Sequence, residues 1–411
     1  MRNSVLEPGD VFPPSLEAAR ARIAAVQPTD YARSRNALTG AVSRLSPYIT
    51  HGVVSMADVL AGVNVRHPLD VQHKFVFELG WRAYFRHVWQ HRGAEILHSL
   101  HDGPLPDSCY ASRLPDDIRH AATGVPVIDE AVRTLYATGY LHNHARMWLA
   151  SYVVHLRKVR WRAGADWMYG HLLDGDLASN HLSWQWVAGT SSHKPYLFNA
   201  DNVARFAPPA WHSPGSAIDL SYEALELLAR QPDGLGHGAN HTPDTVHERI
   251  EPPVGGVPPA QFGWIEPDGR AVAGRDVWLV HPWSLGSLPA SLPAGTVVIG
   301  LFLHNFHQVW PWSERRWKFV TARMADMVAL RWQGDAAAIS AALAGARSVR
   351  SMEEPHLGAW LPSLAHCEAS PALFPPVDAR CDAFSQWWKQ AVRGVDTAAE
   401  LLTVSSAQAR A

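Results

Sequence analysis

The sequence predicts a mainly α-helical domain followed by a smaller α/β domain. Residues 28–206 place apolar and aromatic side chains at helical spacing, whereas 207–275 are punctuated by proline and glycine. From residue 276 onward, short apolar runs alternate with helical patterns. We therefore predict a helical domain at 1–207, a Pro/Gly-rich linker at 208–275 and an α/β domain at 276–411.

Three segments of the first region are predicted helices. Residues 73–91 have apolar and aromatic residues at helical spacing. Residues 126–138 begin at a proline and end before Gly139, which are typical start and stop signals. Residues 143–159 continue the pattern and carry cations near their end, where the helix dipole favours positive charge.

The last region is predicted to alternate strands and helices. The apolar runs 276–283 and 296–304 are typical of buried parallel strands, and 347–352 is a further strand. Residues 315–330 and 336–343 are predicted helices, the second with Asp335 as its N-cap. This alternation favours an α/β layer.

Composition excludes several classes of protein. The chain has 36 basic and 38 acidic residues, and residues 1–207 hold 21 basic and 18 acidic ones, so strong polyanion attraction is not expected. Three cysteines are too few for a disulfide scaffold or a four-cysteine metal site. The N-terminus lacks the apolar core of a signal peptide and no apolar run is long enough for a membrane, so we expect a cytoplasmic protein. The 18 tryptophans suggest stacking sites or large apolar contacts.

Two motifs in the first region are candidate binding sites. Residues 43–46 place hydroxyl groups beside an arginine, just before a helical stretch, and this arrangement could bind a diphosphate. The alternative is an ordinary helix cap with a solvated arginine. Glu78, Trp81 and Arg82 share one face of the predicted helix 73–91. They could stack on and hydrogen-bond a nucleobase, or they could form the polar edge of a core helix.

A third motif is a turn between two aspartates. Asp174 and Asp176 flank a glycine and could direct carboxylates at ring N–H groups, although an Asx-type helix start is the alternative. His142 and His144 form a close pair. However, the sequence has no third ligand and catalytic base arranged as in a known zinc-site motif. We therefore predict no metal site.

Four strings occur together in this order: SRLSPYITHG, ELGWRAYFRH, GVPVIDEAVRTLYATGYLHNHARMWLASYVV and DGDLASNHLSWQWVAGT. Together they resemble the DNA photolyase and cryptochrome flavoproteins over residues 31–206. The resemblance implies a photolyase-type helical domain that binds FAD. Its matching cofactor-binding positions are Tyr31, Ser43, Arg44, Leu45, Ser46, Phe75, Arg82, Arg146, Asp174, Asp176 and Asn180.

The resemblance also implies a pocket for a flipped cyclobutane pyrimidine dimer in DNA. The matching positions are Arg35, Glu78, Trp81, Asn143, Met147 and Trp186. Asn143 stands where enzymes for the (6-4) photoproduct carry histidine, which disfavours that lesion. Asn180, which matches the position facing flavin N5, is typical of photolyases. The residues with the closest implied roles in the chemistry are Glu78, Asn143, Asn180, Trp184 and Trp161.

Two departures from the family pattern affect this reading. Trp184 and Trp161 match the inner links of the electron-transfer chain, but the outer tryptophan position holds Ser108, with Tyr110 and Trp89 as candidate substitutes. The segment 298–327 also resembles part of the family's α/β antenna domain, which usually comes first. We expect a permuted, reduced antenna-like domain or an unrelated α/β cap, and the second chromophore is left unknown.

The function expected from this resemblance is light-driven, FAD-dependent repair of cyclobutane pyrimidine dimers. DNA carrying such dimers would be the partner, whether single- or double-stranded. The alternatives are a cryptochrome-like blue-light photoreceptor that signals to a protein partner, and a photolyase-like flavoenzyme with another substrate.

Overall fold

A computed structural model describes residues 12–192, 194–233, 235 and 249–408. The chain divides into two compact units, each assembled from separate stretches of sequence. The helical unit comprises Thr29–Val42 and Arg82–Pro252 within its described residues. The mixed unit comprises Phe12–Pro28, Ser43–Trp81 and Pro253–Ala411. The predicted continuous domains therefore do not coincide with these units, and the boundaries at 207 and 275 stay a prediction.

The α-helices follow one another along both units. They are α1 Leu16–Ala25, α2 Pro28–Ser34, α3 Ser46–Thr50, α4 Met56–Asn64, α5 Lys74–Arg92, α6 Asp116–Arg119, α7 Pro126–Thr138, α8 Asn143–Ser151, α9 Trp161–His171, α10 Leu177–Ala188, α11 Ala200–Phe206, α12 Tyr222–Ala229, α13 His304–Val309, α14 Glu314–Ala325, α15 Ala336–Leu343, α16 Leu361–Leu364, α17 Phe384–Ala391 and α18 Ala398–Gln408.

The strands lie in the mixed unit. They are β1 Val254–Gly255, β2 Asp276–Val280, β3 Val297–Leu303, β4 Trp312–Ser313, β5 Leu330–Gly334, β6 Ser348–Met352 and β7 His366–Glu368. Five of them form a parallel sheet in the order β5-β3-β2-β6-β7, with Leu279 opposite Ile299 in the central pair. The strands and helices alternate as the apolar runs predicted, because a parallel sheet buried on both faces needs continuous apolar strands. The small pair β1–β4 is antiparallel.

The core of the helical unit is built from α7, α8, α9 and α10. Leu135, Leu149, Met168 and Val187 are buried in one cluster. Helix α7 occupies the predicted 126–138, and Gly139 ends it in the left-handed conformation, φ 68°, that glycine adopts without steric cost. The fold of this unit is mainly helical, as the sequence predicted.

The predicted helix 143–159 is shorter than expected. Helix α8 ends at Ser151 and continues as a single π-helical turn, Tyr152–Leu156. Lys158 then has a positive φ of 49° and donates to the carbonyls of Leu228 and Ala229 at 3.0 and 2.8 Å. These contacts with distant residues end the helix, and a local periodicity cannot anticipate them.

Other predicted elements shift at their ends. Helix α14 ends at Ala325, earlier than the predicted helix 315–330. Residue Leu330, the predicted helix end, is instead the first residue of β5. Helix α15 has the predicted bounds, and the Asp335 carboxylate accepts from the backbone N–H of Ala338 at 2.7 Å as the predicted N-cap. Helix α12 lies in the predicted linker, where Ser221 caps it and Leu225 is buried. No helix in the described part of the chain is both long and apolar enough to cross a membrane.

Candidate functional site

A charge cluster in the helical unit brings together the predicted pair Arg146 and Asp174. Nη2 of Arg146 donates to both carboxylate oxygens of Asp174, at 2.9 and 2.8 Å, and Nε donates to the Leu141 carbonyl at 2.7 Å. The Asp174 side chain is 4% exposed and that of Arg146 is 23% exposed. The pair is therefore rigid, with the guanidinium still partly open to a ligand.

Asp176 anchors a second part of the same cluster. Its Oδ1 accepts from the backbone N–H of Ser179 at 2.8 Å, so it is the N-cap of α10. Its Oδ2 accepts from Nη2 of Arg86 at 2.5 Å, and its side chain has no exposed surface. The Asx-type helix start weighed from the sequence is therefore present, and the same carboxylate also fixes an arginine of α5.

Arg82 adds a third guanidinium to these two ion pairs. Burial lowers the pKa of Arg82, with opposing influences from Asp176 and Asp174 and reinforcing ones from Arg86 and Arg146. Three guanidinium groups and two carboxylates leave a net positive charge of about one in a partly desolvated region. Such a region favours a ligand that carries or gains negative charge.

Asn180 is buried on α10, one turn after its N-cap. Its Nδ2 donates to the Ala165 carbonyl at 2.8 Å. A backbone carbonyl can only accept, so this bond fixes which side of the amide is nitrogen. The Oδ1 acceptor is thereby held on the opposite side of the amide from Ala165.

The predicted diphosphate-binding residues Ser43, Arg44, Leu45 and Ser46 lie in the mixed unit. Arg44 has a positive φ of 52°, which is uncommon for a residue with a side chain. Leu45 is buried and precedes α3, and no side chain caps this helix. The loop therefore turns sharply into a helix whose first N–H groups lack a side-chain acceptor. Such N–H groups are suitable donors for phosphate oxygens.

Phe75, Glu78 and Trp81 lie on α5, in the part that belongs to the mixed unit. Phe75 is buried, whereas Glu78 and Trp81 are half-buried. One face of the Trp81 indole stacks on Phe384 of α17, with ring centroids 4.0 Å apart and planes at 11°. The predicted polar and aromatic pair of α5 is therefore present, but a residue from near the C-terminus already covers one face of the indole.

The other predicted substrate and cofactor positions lie in the helical unit. Asn143 is exposed at the start of α8, and its Nδ2 lies 3.7 Å from Sδ of Met147 on the next turn. Trp186 is 39% exposed and its ring lies 5.7 Å from that of Tyr196. Arg35 is half-buried and donates to the Ala32 carbonyl at 3.0 Å, while Tyr31 is half-buried on α2.

The two predicted inner electron-transfer tryptophans are buried in the helical unit. The Trp184 ring packs so closely on α9 that a methyl group at Gly164 would lie 2.4 Å from its Cη2 and Cζ3 atoms. Gly164 is one turn after Trp161, the first residue of α9. Nε1 of Trp161 donates to Oγ of Ser99, an exposed residue, at 3.0 Å. Trp184 therefore packs within one helical turn of Trp161.

Ser108 stands at the outer position of the electron-transfer chain, but it is exposed and carries no aromatic ring. Tyr110 follows two residues later and packs against the core of the helical unit. Ala111 pairs with Val159, just before α9 begins. Trp89 lies on α5 under the Arg86 guanidinium, 5.4 Å from its ring centroid. Tyr110 is thus attached to the segment leading into Trp161, whereas Trp89 is attached to the charge cluster.

Burial raises the pKa of the Tyr110 hydroxyl to about 12, with smaller contributions from Cys109 and Asp107. The phenol therefore stays protonated near neutral pH. Loss of an electron from Tyr110 would require its proton to be released as well, whereas an indole does not need to lose its proton first.

Some residues of these sites were not assigned from the sequence. The sequence pattern does not place Arg86 beside Asp176, although Arg86 is one turn after Arg82. Gly164 was not noted, although a glycine inside a helical pattern signals close packing. Phe384 was missed altogether, because no local pattern links it to Trp81.

The pair His142 and His144, considered above as metal ligands, makes other contacts, and a second pair, His87 and His91, lies on α5. Nδ1 of His142 accepts from the backbone N–H of His144 at 3.1 Å, and Nδ1 of His144 donates to the Asn36 carbonyl at 2.6 Å. The His87 and His91 rings lie 4.4 Å apart, and burial lowers the pKa of His87 to about 4. Within the described residues, no group of three or more histidines, cysteines, aspartates or glutamates is arranged to hold a metal ion.

Within the helical unit, the charge cluster suits the ring system of FAD. The cluster offers guanidinium donors, a net positive charge and the oriented amide of Asn180, which suit a polar ring system that accepts electrons. The uncapped N–H groups before α3 suit phosphate oxygens. The residues present therefore fit this cofactor in kind.

Comparison with known proteins agrees with these features. Residues 75–210 match the family model described as the FAD binding domain of DNA photolyase. The chain is 35% identical over 248 residues to a deoxyribodipyrimidine photo-lyase of Streptomyces griseus, covering 54% of this chain and 50% of that protein. It is 31% identical over 229 residues to a chloroplastic/mitochondrial cryptochrome DASH of Ostreococcus tauri, covering 54% and 40%.

A solved cryptochrome from Synechocystis superimposes with a TM-score of 0.44 at 26% identity, covering 50% of this chain and 44% of that one. The chain spans about half or less of the length of the curated relatives named above. The family model falls on the segment that contains the charge cluster and Asn180. Residues 75–210 are therefore similar to the FAD-binding domain of DNA photolyase, and the relatives named above are photolyases and cryptochromes.

Proposed function

We propose that the protein uses FAD and light to repair cyclobutane pyrimidine dimers in DNA. The observation that carries this proposal is the arrangement along α5. Glu78 and Trp81 are half-exposed on this helix, and the following turns supply Arg82 and Arg86 to the charge cluster. A carboxylate and an indole suited to a nucleobase thus occur on the same helix as groups suited to an electron-rich cofactor.

When bound and reduced, FAD would supply the light-driven electron that splits the dimer and would recover it afterwards. The chain's own residues hold and tune the site. Asp174 and Asp176 fix the guanidinium groups of Arg146 and Arg86, so that positive charge is positioned before the reaction begins. Because these groups are already paired and partly desolvated, little reorganisation is required of them.

Asn180 is proposed to orient an acceptor toward the flavin. Its Nδ2 donates to the Ala165 carbonyl at 2.8 Å. Its Oδ1 is therefore the atom that would accept a hydrogen bond from a protonated flavin nitrogen. An amide performs this role without adding a negative charge to the cluster. A carboxylate at position 180 would be repelled by the oxygen of the neighbouring Ala165 carbonyl.

Glu78 is proposed to accept hydrogen bonds from the N–H groups on the pyrimidine edge, and Trp81 and Trp186 to stack on the damaged bases. Each stacked base is worth about 1–3 kcal/mol of binding. Asn143 and Met147 are also proposed to contact the substrate, and Arg35 to contact a phosphate. The near balance of charge, 36 basic against 38 acidic residues, favours recognition through stacking over strong non-specific attraction.

Electron supply to oxidised FAD is proposed to run inward through Trp161 and Trp184. Gly164 supports this by allowing Trp184 to pack against the first turn of α9. Tyr110 is the preferred outer link because its neighbour Ala111 pairs with the residue two positions before Trp161.

The α/β part of the mixed unit is proposed to be a permuted relative of the family's antenna domain. Its parallel sheet and the alternation of β3, α14 and β5 support this proposal. The pattern matches the order expected from residues 298–327, but it follows the FAD-binding segment along the chain.

A cryptochrome-like photoreceptor is the second candidate. The buried pair Trp184 and Trp161 favours it, because a sensor also requires light-driven reduction of its flavin. A relative of similar identity is named cryptochrome DASH. A sensor has no need for Glu78 and Trp81 at a partly exposed surface, and this argues for repair.

The two candidates differ in DNA binding in the dark. FAD-loaded protein should be titrated with a short single-stranded oligonucleotide carrying one thymine dimer, and with the undamaged sequence. Repair predicts that the dimer is bound at least about fivefold more tightly, from one stacked base. Glu78→Gln should reduce that preference without loss of FAD. Equal affinity for both oligonucleotides would contradict the repair proposal and favour the photoreceptor.

A further inference from the structure

We infer that Ser99 accepts the indole proton of Trp161 after Trp161 gives up an electron, and that it passes a proton on to solvent. This inference rests on the proposed electron supply through Trp161 and Trp184. It adds the fate of the proton, and it holds whichever group supplies the next electron. Nε1 of Trp161 donates to Oγ of Ser99 at 3.0 Å, and an indole nitrogen can only donate.

The segment that carries Ser99 is fixed by a residue of α10. Gln185, the buried residue that follows Trp184, contacts this segment on both sides of Ser99. Its Nε2 donates to the Ile96 carbonyl at 2.8 Å, and its Oε1 accepts from the backbone N–H of Leu100 at 3.0 Å. The helix that carries Trp184 therefore also holds Ser99 in place.

Ser99 connects a largely buried indole with solvent. Trp161 is 7% exposed, whereas Ser99 is an exposed residue. Arg162, the residue after Trp161, donates from Nη1 to the Leu97 carbonyl at 2.8 Å and fixes the chain two residues before Ser99. A hydroxyl is both an acceptor and a donor. That of Ser99 can therefore accept the indole hydrogen and give its own hydrogen to water.

The proposed step balances one electron and one proton. When the oxidised ring of Trp184 takes an electron from Trp161, the Trp161 ring becomes a radical cation. Its Nε1–H bond then breaks, the proton moves to Oγ of Ser99, and the original hydroxyl proton leaves to water. The product is a neutral indolyl radical, which an external thiol restores by returning one electron and one proton. Loss of the proton removes positive charge from a largely buried ring, where a charge is costly.

His181 also contacts Trp161 but does not face the indole N–H. The two ring centroids lie 6.3 Å apart, with planes at 83°. Nδ1 of His181 lies 3.0 Å from the Leu177 carbonyl oxygen, and Nε2 lies 2.8 Å from Oδ1 of Asp166. Both nitrogens of this ring therefore have other oxygen partners, whereas Nε1 of Trp161 has Ser99.

The experiment follows the tryptophan radical in the FAD-loaded full chain by transient absorption after a blue flash. The radical cation and the neutral radical of an indole have different absorption bands, so their interconversion can be timed. In Ser99→Ala this conversion should be at least about tenfold slower, because a positioned proton acceptor is lost. Ser99→Thr keeps a hydroxyl and should convert at the wild-type rate. Ser112→Ala, which changes another exposed serine of the helical unit, is the matched control and should also convert normally.

A second measurement examines the hydrogen bond without light. The indole ¹H–¹⁵N resonance that disappears in Trp161→Phe identifies Trp161. This resonance should move in Ser99→Ala and stay in place in Ser112→Ala, while the flavin content of both variants equals that of the wild type. If Ser99→Ala loses FAD, Ser99→Gly provides the same two measurements.

An unchanged conversion rate in the variant without the hydroxyl would overturn the inference, and so would an unmoved Trp161 resonance. A slow conversion that Ser99→Thr does not restore would also overturn it, because the effect would then not depend on the hydroxyl. A wild-type radical signal identical to that of Trp161→Phe would contradict the proposed electron supply and the inference with it. Slow conversion confined to the Ser99 variants, with unchanged affinity for the dimer, supports the inference and leaves the proposed repair function intact.

Discussion

Arg146 donates from one nitrogen to both carboxylate oxygens of Asp174, at 2.9 and 2.8 Å, while its Nε donates to the Leu141 carbonyl. The guanidinium thus connects the segment after α7 with the segment after α9. Because Asp174 is nearly inaccessible to solvent, this ion pair both supports the helical unit and fixes positive charge in the proposed flavin site.

Asp174→Asn should destabilise the protein and weaken FAD binding together. Removing one partner of a largely buried pair leaves the Arg146 charge poorly compensated, at a cost of about 2–4 kcal/mol in the free energy of unfolding. Urea unfolding of the apoprotein and the flavin content of the purified protein measure the two effects. Arg33→Ala breaks an exposed pair with Asp30 and should change stability by no more than about 0.5 kcal/mol. Similar losses in the free energy of unfolding and in flavin content for the two variants would contradict this role of Asp174.

Gly164→Ala should displace Trp184. The added methyl group would lie 2.4 Å from the indole, so the ring or α9 must move. Overpacking of this kind costs about 1–3 kcal/mol, which exceeds the gain of about 1 kcal/mol from helix propensity. Gly345→Ala is the control, because its nearest neighbour would be 3.8 Å away, in ordinary contact. Thermal unfolding distinguishes them, and a fully stable Gly164→Ala would disprove the close packing.

Stability should fall as the pH decreases from about 6.5 toward 4, in part because of His155. Burial lowers the pKa of His155 to about 4, and its Nε2 donates to the Val187 carbonyl at 2.8 Å. In this pH range the unfolded chain binds a proton that the folded chain does not, so His155 contributes a slope of up to about 1.4 kcal/mol per pH unit.

His155→Gln should remove this contribution. The measurement is the free energy of unfolding in urea at several pH values between 4 and 7. An identical slope in His155→Gln and the wild type would show that the folded protein protonates His155 readily.

Trp184→Phe should slow photoreduction of oxidised FAD with an external thiol. Phenylalanine keeps an aromatic ring in the core, loses the outer indole atoms that pack on Gly164, and is far harder to oxidise than an indole. Absorbance of the flavin during blue-light illumination measures the rate, and flavin content must match the wild type. The control is Trp167→Phe. Trp167 lies on the same helix as Trp161, but its Nε1 donates to the Tyr136 hydroxyl. The FAD of this variant should be photoreduced at the wild-type rate. Unchanged photoreduction in Trp184→Phe would mean that electrons enter elsewhere.

Features set by neighbouring residues were the most predictable from the sequence. Gly139 ends α7 and Asp335 caps α15 as expected, because such signals act within one helical turn. Three of the parallel strands, β2, β3 and β6, were also predicted. Strands β5 and β7 were not, because β5 begins inside the predicted helix 315–330 and β7, His366–Glu368, is too short and polar to be recognised. The family resemblance then indicated FAD binding, which the matching family model confirms.

Features that depend on distant contacts were not predictable. Lys158 leaves the helical conformation because the carbonyls of Leu228 and Ala229 accept from it, and neither lies near it in sequence. The stacking of Phe384 on Trp81 also requires the C-terminal segment to return to α5. The individual site roles remain predictions, because hydrogen bonds and exposure describe the residues before any ligand is bound.

The most direct measurement is dimer splitting by chemically reduced, FAD-loaded protein under blue light. Chemical reduction bypasses the electron-transfer chain to FAD, so the assay examines repair alone. A thymine-dimer oligonucleotide should be restored to intact thymines over several turnovers in the light and unchanged in the dark, and Glu78→Ala should lower the yield. Fully reduced, flavin-loaded protein that leaves the dimer intact in the light would contradict the proposed repair function.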